Sequence, residues 1–318
     1  MFPITQICRA DTGEAVNLEI GLAEELATLA FAVNRGELSG RKDVTVRLTA
    51  DMDLTGIRWV PIGFGDSEFA GVFDGCGHTV RGMTLQKDGP GNYGLFGAVS
   101  GTVQNLTVAG EIRNVTGDPH SAVGGIAGEL SGGVVKNCAA EITVDCRGEP
   151  LGFFAGGSVS GGCKAVGGIA GWISMDHQGP DPLTVVDCCL TLGDVIQSPN
   201  SSGGSCGGIV GEIYNKPPDT TLLLVRNCVC LGSLILRDPA GRAHPIVAHA
   251  DGAVFENNYF DQRLPIQGDG VPQEQVAQGC TAWPAEKLLA ELPALDSRCI
   301  IGPDGALTVR NLEIGGGI

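Results

Sequence analysis

Two groups of side chains in the N-terminal third have types and spacing that could support acid–base chemistry. Asp51 and Asp53 lie two residues apart and would share one face of a strand, and Asp74 lies close to His78. Hydrolysis of a glycosidic bond needs two carboxyl groups that face each other at a defined separation. Asp51 and Asp53 nevertheless belong to a strand-like segment, and Asp74 precedes a glycine as turn residues do. The sequence therefore indicates no catalytic residue.

The histidines and cysteines do not show the spacing of a metal site or a cofactor site. The histidines are His78, His120, His177, His244 and His249. None belongs to an HExxH-like motif, and the 12 cysteines include no CxxC pair. Many cysteines lie in apolar segments, which is typical of reduced cysteine that packs as a small hydrophobic residue. These are Cys138, Cys188, Cys189, Cys228 and Cys230. No metal-binding residue and no cofactor is predicted.

The composition is that of a folded chain rather than a disordered one. Its 318 residues are 43% hydrophobic and 18% charged, whereas disordered chains are poor in apolar residues and rich in charge. The formal net charge is −16 and no lysine or arginine run forms a basic patch, so no nucleic-acid partner is predicted. No apolar window approaches the roughly 18 residues of a membrane span. The N-terminal residues lack the basic start and apolar run of a signal peptide.

A Gly-apolar-apolar-Gly tetrad recurs four times along the chain. The copies are Gly94–Gly97, Gly125–Gly128, Gly168–Gly171 and Gly208–Gly211. A repeat of tens of residues is typical of solenoids, in which each repeat buries its apolar face against its neighbours. The turn-rich insertions between copies predict loops of unequal length on a constant core. We expect the tetrad glycines to permit a sharp bend, with positive φ where the bend requires it.

A second element follows each tetrad and has the pattern apolar, variable, Asn or Asp, then apolar. Short β-branched segments around it, such as Thr102–Val108, predict strands. In stacked coils, equivalent residues lie about 4.8 Å apart, so identical side chains form ladders. The candidates for a ladder of amides are Asn105, Asn137, Asp187, Asn227 and Asn257.

The stretch from Phe69 to Leu85, FAGVFDGCGHTVRGMTL, resembles the segment FxGxFDGxGHxIxGL that opens GLUG-repeat regions. The tetrads match the motif that names this family, and the segments 48–54 and 59–63 resemble its usual lead-in. The resemblance covers roughly residues 20–262. It implies a right-handed parallel β-helix found in bacterial surface or secreted proteins, and hence an extracellular or cell-surface location. It implies no established activity.

The two ends of the chain differ from the repeats. Residues 18–35 predict a helix with one apolar face, which Asn17 would cap and Gly36 would end. Residues 284–292 predict a second short helix, and the turn at 302–305 separates two apolar runs. The expected fold class is therefore all-β, a right-handed parallel β-helix (solenoid) with an N-terminal helical cap and a small C-terminal appendix. The expected divisions are 1–43 (cap), 44–262 (GLUG-repeat β-helix) and 263–318 (C-terminal capping region).

Two classes of function fit this fold, and a third would require trimeric packing. The first is a non-catalytic surface or secreted structural or interaction module, acting in adhesion or glycan binding, whose partners would be glycans, host proteins or neighbouring surface proteins. Its expected display loops are residues 113–122, 145–163, 172–182, 196–205 and 212–220. Trp172 and Tyr214 are the aromatic residues to test first. The second is a carbohydrate-active enzyme, a polysaccharide lyase or hydrolase, which would need carboxylates and basic groups clustered on one ladder. The third is a phage or filament fibre.

Overall fold

The computed structural model describes residues 15–88, 91–116, 121–146, 165–174, 183–197, 204–214, 222–236, 241–267, 279–296, 298–301 and 307–309. Over these residues the chain is mostly β-strand, and the strands of successive repeats pair in parallel. This confirms the expected all-β fold built from long parallel sheets.

Three parallel sheets hold nearly all of the described strands, and each repeat contributes strands to every sheet. Sheet 1 has 16 described strands: Val16–Ile20, Val44–Leu48, Met52–Asp53, Val72–Asp74, Thr79–Asp88, Thr102–Thr116, Val134–Cys146, Leu183–Asp187, Leu190–Thr191, Val195–Gln197, Leu222–Arg226, Val229–Cys230, Leu234–Leu236, Ala253–Glu256, Asn258–Asp261 and Cys280–Trp283. Sheet 2 comprises Phe96–Val99, Ala127–Ser131, Ala170–Ser174, Val210–Tyr214 and Val247–Ala250. Sheet 3 comprises Asn92–Tyr93, Ala122–Gly124, Ala165–Gly167, Ser205–Gly207 and Arg242–His244.

The register of the sheets stacks equivalent residues of the repeats in columns. In sheet 2, for example, Ala127 pairs with Ala170, and Ala170 pairs with Val210. Columns of Val, Ile, Leu and Phe are almost fully buried and form one continuous apolar core through the repeats. Burial of this apolar surface is the main contribution to the stability of the stack.

The tetrad glycines allow close approach of backbones rather than positive φ, so the expectation of positive φ is wrong. None of the glycines with positive φ among the described residues is a tetrad glycine. Instead, a Cβ atom on Gly171 would lie 2.5 Å from the backbone nitrogen of Val123 and 2.8 Å from the carbonyl oxygen of Gly128. A Cβ on Gly211 would lie 2.7 Å from the backbone nitrogen of Val166. Sheets 2 and 3 therefore meet backbone to backbone, at a distance only glycine permits.

A column of amide side chains runs along sheet 1, although its third member differs from the prediction. Left-handed backbone conformations occur at Asn105 (φ 55°), Asn137 (53°), Cys188 (53°), Asn227 (54°) and Asn257 (52°). Asp187 was the predicted third member, but it pairs in register with Lys136 and Arg226 and so lies one residue before the column. The residue level with Asn137 and Asn227 is Cys188. We call these five left-handed residues, with the carboxylates of Asp74 and Asp187, the amide column.

Hydrogen bonds connect the amide column in two segments, and each segment begins at a carboxylate. Asn105 Nδ2 donates to Asp74 Oδ1 (2.9 Å), and Asn137 Nδ2 donates to Asn105 Oδ1 (2.7 Å). In the second segment, Asn227 Nδ2 donates to Asp187 Oδ1 (2.8 Å) and Asn257 Nδ2 donates to Asn227 Oδ1 (3.5 Å). These bonds satisfy side chains at the bend of successive coils.

A row of charged residues, interrupted by Gln104, runs beside the asparagines of the amide column on the outer side of sheet 1 and shares Asp74 and Asp187 with that column. Register pairs place its members on successive strands: Glu19, Arg47, Asp74, Gln104, Lys136, Asp187, Arg226 and Glu256. We call it the charge row. Arg226 forms an ion pair with Asp187 at 2.8 Å, and Gln104 donates to Asp74 at 2.9 Å. Cross-strand neighbours of opposite charge favour this register.

The N-terminal residues begin with a strand where a helix was expected. Val16–Ile20 pairs in parallel with Val44–Leu48, and helix α1 spans Ala23–Asn34. Asn17 therefore lies in the strand and does not cap the helix. Instead, the Glu25 carboxylate accepts hydrogen bonds from the backbone N–H groups of Gly21 (2.9 Å) and Leu22 (3.1 Å). In residues 16–20 apolar and polar residues alternate, which is the pattern of a strand. The apolar periodicity of the helix that follows concealed this pattern in the sequence.

The C-terminal residues pack along the side of sheet 1. The predicted second helix is present, but it spans Ala285–Leu295, with Pro284 at its N-cap rather than in its first turn. We call this helix α2. Cys299–Ile301 pairs antiparallel with Leu307–Val309. The apolar contact between this segment and the outer face of sheet 1 consists of Leu288, Leu292 and Cys299 against Ala139, Leu190 and Val229.

A buried arginine anchors the same segment to the coils. Arg298 is 4% exposed and forms a bidentate pair with Asp296. Its guanidinium also donates to the carbonyl oxygens of Cys138 (3.5 Å) and Cys188 (3.1 Å). The C-terminal segment thus bridges two coils that lie far from it in sequence.

Candidate functional site

The four residues directly after the tetrads lie on the outer side of sheet 2, and His249, which follows no tetrad, lies at the equivalent position of the next coil. Register pairs place Ala98, Glu129, Trp172, Glu212 and His249 on successive strands. We call them the post-tetrad row. In each strand the residue after the row position belongs to the apolar core, as Ile173 does after Trp172. Strand alternation therefore turns the row to the opposite face.

Glu129 is held by three neutral donors. Asn92 Nδ2 donates to Glu129 Oε2 at 2.6 Å, while the hydroxyls of Ser174 (2.7 Å) and Ser131 (3.3 Å) donate to Oε1. No ion pair to Glu129 occurs among the residues that the structure describes. An ionised carboxylate has about four lone-pair sites, so these bonds fix its orientation and leave accepting capacity.

Trp172 lies between two carboxylates, one on each neighbouring coil. It pairs in register with Glu129 on one side and Glu212 on the other. Glu212 is 6% exposed and accepts a hydrogen bond from the Ser205 hydroxyl of sheet 3 at 3.2 Å. Trp172 is partly exposed, and an indole beside oriented carboxylates combines an apolar ring with hydrogen-bond acceptors, which suits the face and edge of a sugar ring.

Tyr214 and the two serines occupy the next outward position of the same strands. Ser131 pairs with Ser174, and Ser174 pairs with Tyr214. The two aromatic residues that the sequence singled out are therefore brought to one face of sheet 2. The expected display loops lie for the most part outside the described residues.

The acidic residues considered for catalysis form separate structural contacts instead. Asp51 Oδ1 lies 3.1 Å from His78 Nδ1, and Asp53 pairs with Arg81 at 3.2 Å. Asp74 belongs to the amide column. Burial raises the pKa of Asp74, but the hydrogen bonds it accepts outweigh this effect and place the pKa below its usual value.

The three histidines within the described residues do not converge. His120 and His177 lie outside the described residues, while His244 belongs to sheet 3 and His249 to sheet 2. His244 is buried against Phe260, with ring centroids 5.5 Å apart, and its Nδ1 accepts from the backbone N–H of Ile246 at 3.0 Å. Burial lowers the pKa of His244 to about 4, so the ring is neutral at physiological pH.

Most of the apolar-segment cysteines are buried, as expected, but Cys188 is exposed. Cys138, Cys189 and Cys228 lie in one inward column of sheet 1. Burial raises the pKa of Cys206 and Cys230 to about 12, which favours the unreactive thiol. Within the described residues no three His, Cys, Asp or Glu side chains are placed to hold a metal ion.

The sequence pointed to Trp172 and Tyr214 but missed Glu129, Glu212 and Asn92. Each of the two glutamates directly follows its tetrad, as Trp172 does, so an alignment of the tetrads would have predicted that the three residues lie on one face. Asn92 could not be found in this way, because its contact with Glu129 depends on the close packing of sheets 2 and 3.

The comparisons with known proteins show a shared fold with one solved structure and give no family. No protein-family model matches the chain. The chain resembles the crystal structure titled a "putative immunoglobulin A1 protease" from Bacteroides ovatus, with a TM-score of 0.56 and 19% identity over 92% of this chain and 91% of that one. At this identity the likeness concerns the fold alone.

Two sequence relatives match part of the chain. The first is a "Putative Gly-rich membrane protein" of Evansella cellulosilytica, 37% identical over 100 residues, which cover 30% of this chain and 11% of that protein. The second is "Halomucin" of Haloquadratum walsbyi, 28% identical over 113 residues, which cover 35% of this chain and 1% of that protein. The matches therefore span a small part of either relative. No helix among the described residues is long and apolar enough to cross a membrane.

Proposed function

We propose that this chain is a non-catalytic interaction module of a surface or secreted protein, and that it binds glycans through the post-tetrad row. The observation that carries the proposal is the position of the partly exposed Trp172 on a parallel sheet, between two carboxylates that hydrogen bonds hold in place. The names of the partial relatives, "Putative Gly-rich membrane protein" and "Halomucin", support an extracellular or cell-surface location.

We further infer a right-handed β-helix of the GLUG-repeat kind, on the strength of the tetrads and the opening motif. Residues 1–43 would cap its N-terminal end, 44–262 would form the helix, and 263–318 would be a C-terminal capping region. Leu26, Leu29 and Val33 of α1 are buried in the same core as the first strands, which suits a cap. A capped end protects an exposed sheet edge from aggregation.

Binding to an immobilised panel of glycans tests the proposed function. Wild type should bind at least one glycan, Trp172→Ala should abolish binding, and Trp172→Phe should retain part of it because the aromatic face remains. Trp283→Ala is the matched control, since Trp283 packs against Tyr259 on sheet 1 with ring centroids 4.5 Å apart. Unchanged binding by Trp172→Ala, or no glycan binding by wild type, would contradict the proposal.

A carbohydrate-active enzyme is the second candidate, and one observation favours it. Glu129 and Glu212 are two coils apart, so their Cα atoms are separated by about twice the strand spacing of 4.8 Å. The carboxyl groups of inverting glycosidases have a separation of the same order, roughly 6.5–9.5 Å, although that distance joins carboxyl groups and not Cα atoms. Release of reducing ends from a polysaccharide panel by wild type, and its loss in Glu129→Gln, would establish the enzyme and exclude the non-catalytic module.

A further inference from the structure

Three cysteines stack inside the core, one on each of three successive coils of sheet 1. Cys138, Cys189 and Cys228 directly precede residues that pair in register, so they lie opposite one another. All three are almost fully buried. We call them the thiol column. Leu106 occupies the same position on the coil before the column, and Asn258 occupies it on the coil after.

Neighbours in the thiol column have the spacing that a disulfide requires. Adjacent strands of a sheet lie about 4.8 Å apart, and the Cα atoms of a disulfide are about 4.4–6.8 Å apart. A backbone hydrogen bond holds two of the coils at this spacing, since the N–H of Val229 donates to the carbonyl oxygen of Cys189 at 2.9 Å. Because Cys189 and Cys228 both point into the core, rotation of their side chains can bring the two sulfur atoms together.

Cys189 has a thiol neighbour on each side but can form only one disulfide. Burial is the largest cause that raises the pKa of Cys228, and a side-chain hydrogen bond with Cys189 is the next. Burial and then the charge of Cys189 raise the pKa of Cys138. The direct contact between thiols is therefore the one with Cys228. On its other side Cys228 meets Asn258, which offers no thiol.

The hydrogen bonds that the two free thiols make would be a small loss on oxidation. Cys189 Sγ donates to the carbonyl oxygen of Val135 at 3.7 Å. Cys228 Sγ makes the equivalent bond to the carbonyl oxygen of Val186, also at 3.7 Å. A thiol is a weak donor, whereas a disulfide that closes a loop restricts the unfolded chain and so favours the folded one.

We propose that Cys189 and Cys228 form a disulfide that joins two successive coils through the core when the chain folds in an oxidising environment. The oxidant is a small-molecule disulfide such as oxidised glutathione. The inference rests on the proposed surface or secreted location, where disulfides persist, and not on glycan binding.

The reaction is two successive thiol–disulfide exchanges. One cysteine attacks a sulfur of oxidised glutathione and releases one reduced glutathione. The other cysteine then displaces the second glutathione from the mixed disulfide. Two thiols thus give up two electrons and two protons, which leave in the two reduced glutathione molecules. The exchange takes place before the core closes, because burial raises the pKa of the Cys228 thiol and a protonated thiol is a poor nucleophile.

Refolding of the denatured, reduced protein in a mixture of reduced and oxidised glutathione tests the inference. Free thiols are counted by alkylation under denaturing conditions, and linked peptides are identified by mass spectrometry. Compared with protein refolded in dithiothreitol, wild type should have two fewer free thiols and a peptide pair that joins Cys189 to Cys228. Its unfolding temperature should be higher by roughly 5 °C, and dithiothreitol should reverse the shift.

Two adjacent cysteines provide matched variants. Cys189→Ala should abolish the linked peptide pair and the shift in unfolding temperature. Cys188→Ala should retain both, because Cys188 is exposed and lies outside the thiol column. Circular dichroism of the reduced variants checks that they fold, and the peptide pair of wild type decides the inference even if Cys189→Ala does not.

Three outcomes would overturn the disulfide: no such peptide pair in wild type, its persistence in Cys189→Ala, or its loss in Cys188→Ala. None of them bears on the binding of glycans, which the glycan panel measures separately. The failure of this inference and the failure of the proposed function are therefore distinguishable.

Discussion

Cys188 interrupts the amide column at the position where every neighbouring repeat has asparagine. It adopts a left-handed backbone (φ 53°) level with Asn137 and Asn227. Asparagine tolerates this conformation better than cysteine does, because its short polar side chain can hydrogen-bond locally. An amide at position 188 could also donate to Asn137 and so join the two segments. Cys188 therefore lacks the backbone preference and the hydrogen bond that asparagine would supply at this position.

We expect Cys188→Asn to raise the free energy of unfolding by about 1 kcal/mol, through the backbone preference and one added hydrogen bond. Denaturant titration measures the change. Cys188→Ser removes the same thiol without supplying an amide, and it should not stabilise the protein. Equal effects of the two substitutions would show that the amide column is not continuous through this position.

His244 makes the fold sensitive to acid. Its pKa in the folded state is about 4, below the ordinary value of 6.5, because the ring is buried. Its contribution to stability is thus complete above pH 6.5 and is lost as the pH falls toward 4. The loss amounts to at most about 3 kcal/mol, since the unfolded state takes up the proton first.

The substitution His244→Asn isolates this effect, because its Oδ1 can still accept from the backbone N–H of Ile246 but does not titrate. The difference in unfolding free energy between wild type and variant should shift in favour of the variant between pH 6.5 and 4. Denaturant titrations at several pH values measure it. A constant difference over this range would mean that His244 is not buried in its neutral form.

At the scale of the element, the contact between sheets 2 and 3 depends on glycine for space and not for flexibility. Gly171→Ala should lower the free energy of unfolding by about 3 kcal/mol, because the added Cβ meets backbone atoms of two neighbouring strands. Gly65→Ala is the control: its φ is +75° and no atom lies within 4 Å of the added Cβ, so it should cost about 1 kcal/mol. Similar costs, measured by thermal unfolding, would argue against the close packing of these sheets.

The elements differ in how far the sequence predicts them. Val44–Leu48 and the helix after Pro284 follow from alternation and helix-start signals, and the tetrads predict the parallel repeats. The strand Val16–Ile20 was missed because the periodicity of α1 extends across it. The role of the tetrad glycines was misjudged for a different reason. Close approach is a contact between repeats, whereas a pattern within one repeat reports only local conformation.

At the scale of the whole molecule, the C-terminal segment contacts three successive coils of sheet 1 at once. Solenoids are stabilised mainly by contacts between neighbouring repeats, so their ends can unfold separately. Here α2 covers residues from three coils, and Arg298 reaches the carbonyl oxygens of Cys138 and Cys188. The segment should therefore make the unfolding of these coils more cooperative.

Leu292→Asp tests this coupling, because Leu292 is fully buried against sheet 1. We expect amide hydrogen exchange in α2 to accelerate and the unfolding transition to be broader than that of wild type, or split. Leu289→Asp changes the same helix at a residue that is 37% exposed, and it should leave both measurements near wild type. Unchanged exchange in Leu292→Asp would show that α2 does not depend on its contact with sheet 1.

The charge row has a consequence for how such a chain can gain or lose repeats. Lys136, Asp187, Arg226 and Glu256 alternate in sign along the stack. Deletion of the repeat that carries Asp187 would set Lys136 beside Arg226, whereas deletion of that repeat together with the next would set Lys136 beside Glu256. Like charges in register oppose pairing and unlike charges favour it. The row thus imposes a parity rule, by which this part of the solenoid can be shortened or lengthened by even numbers of coils more readily than by odd ones.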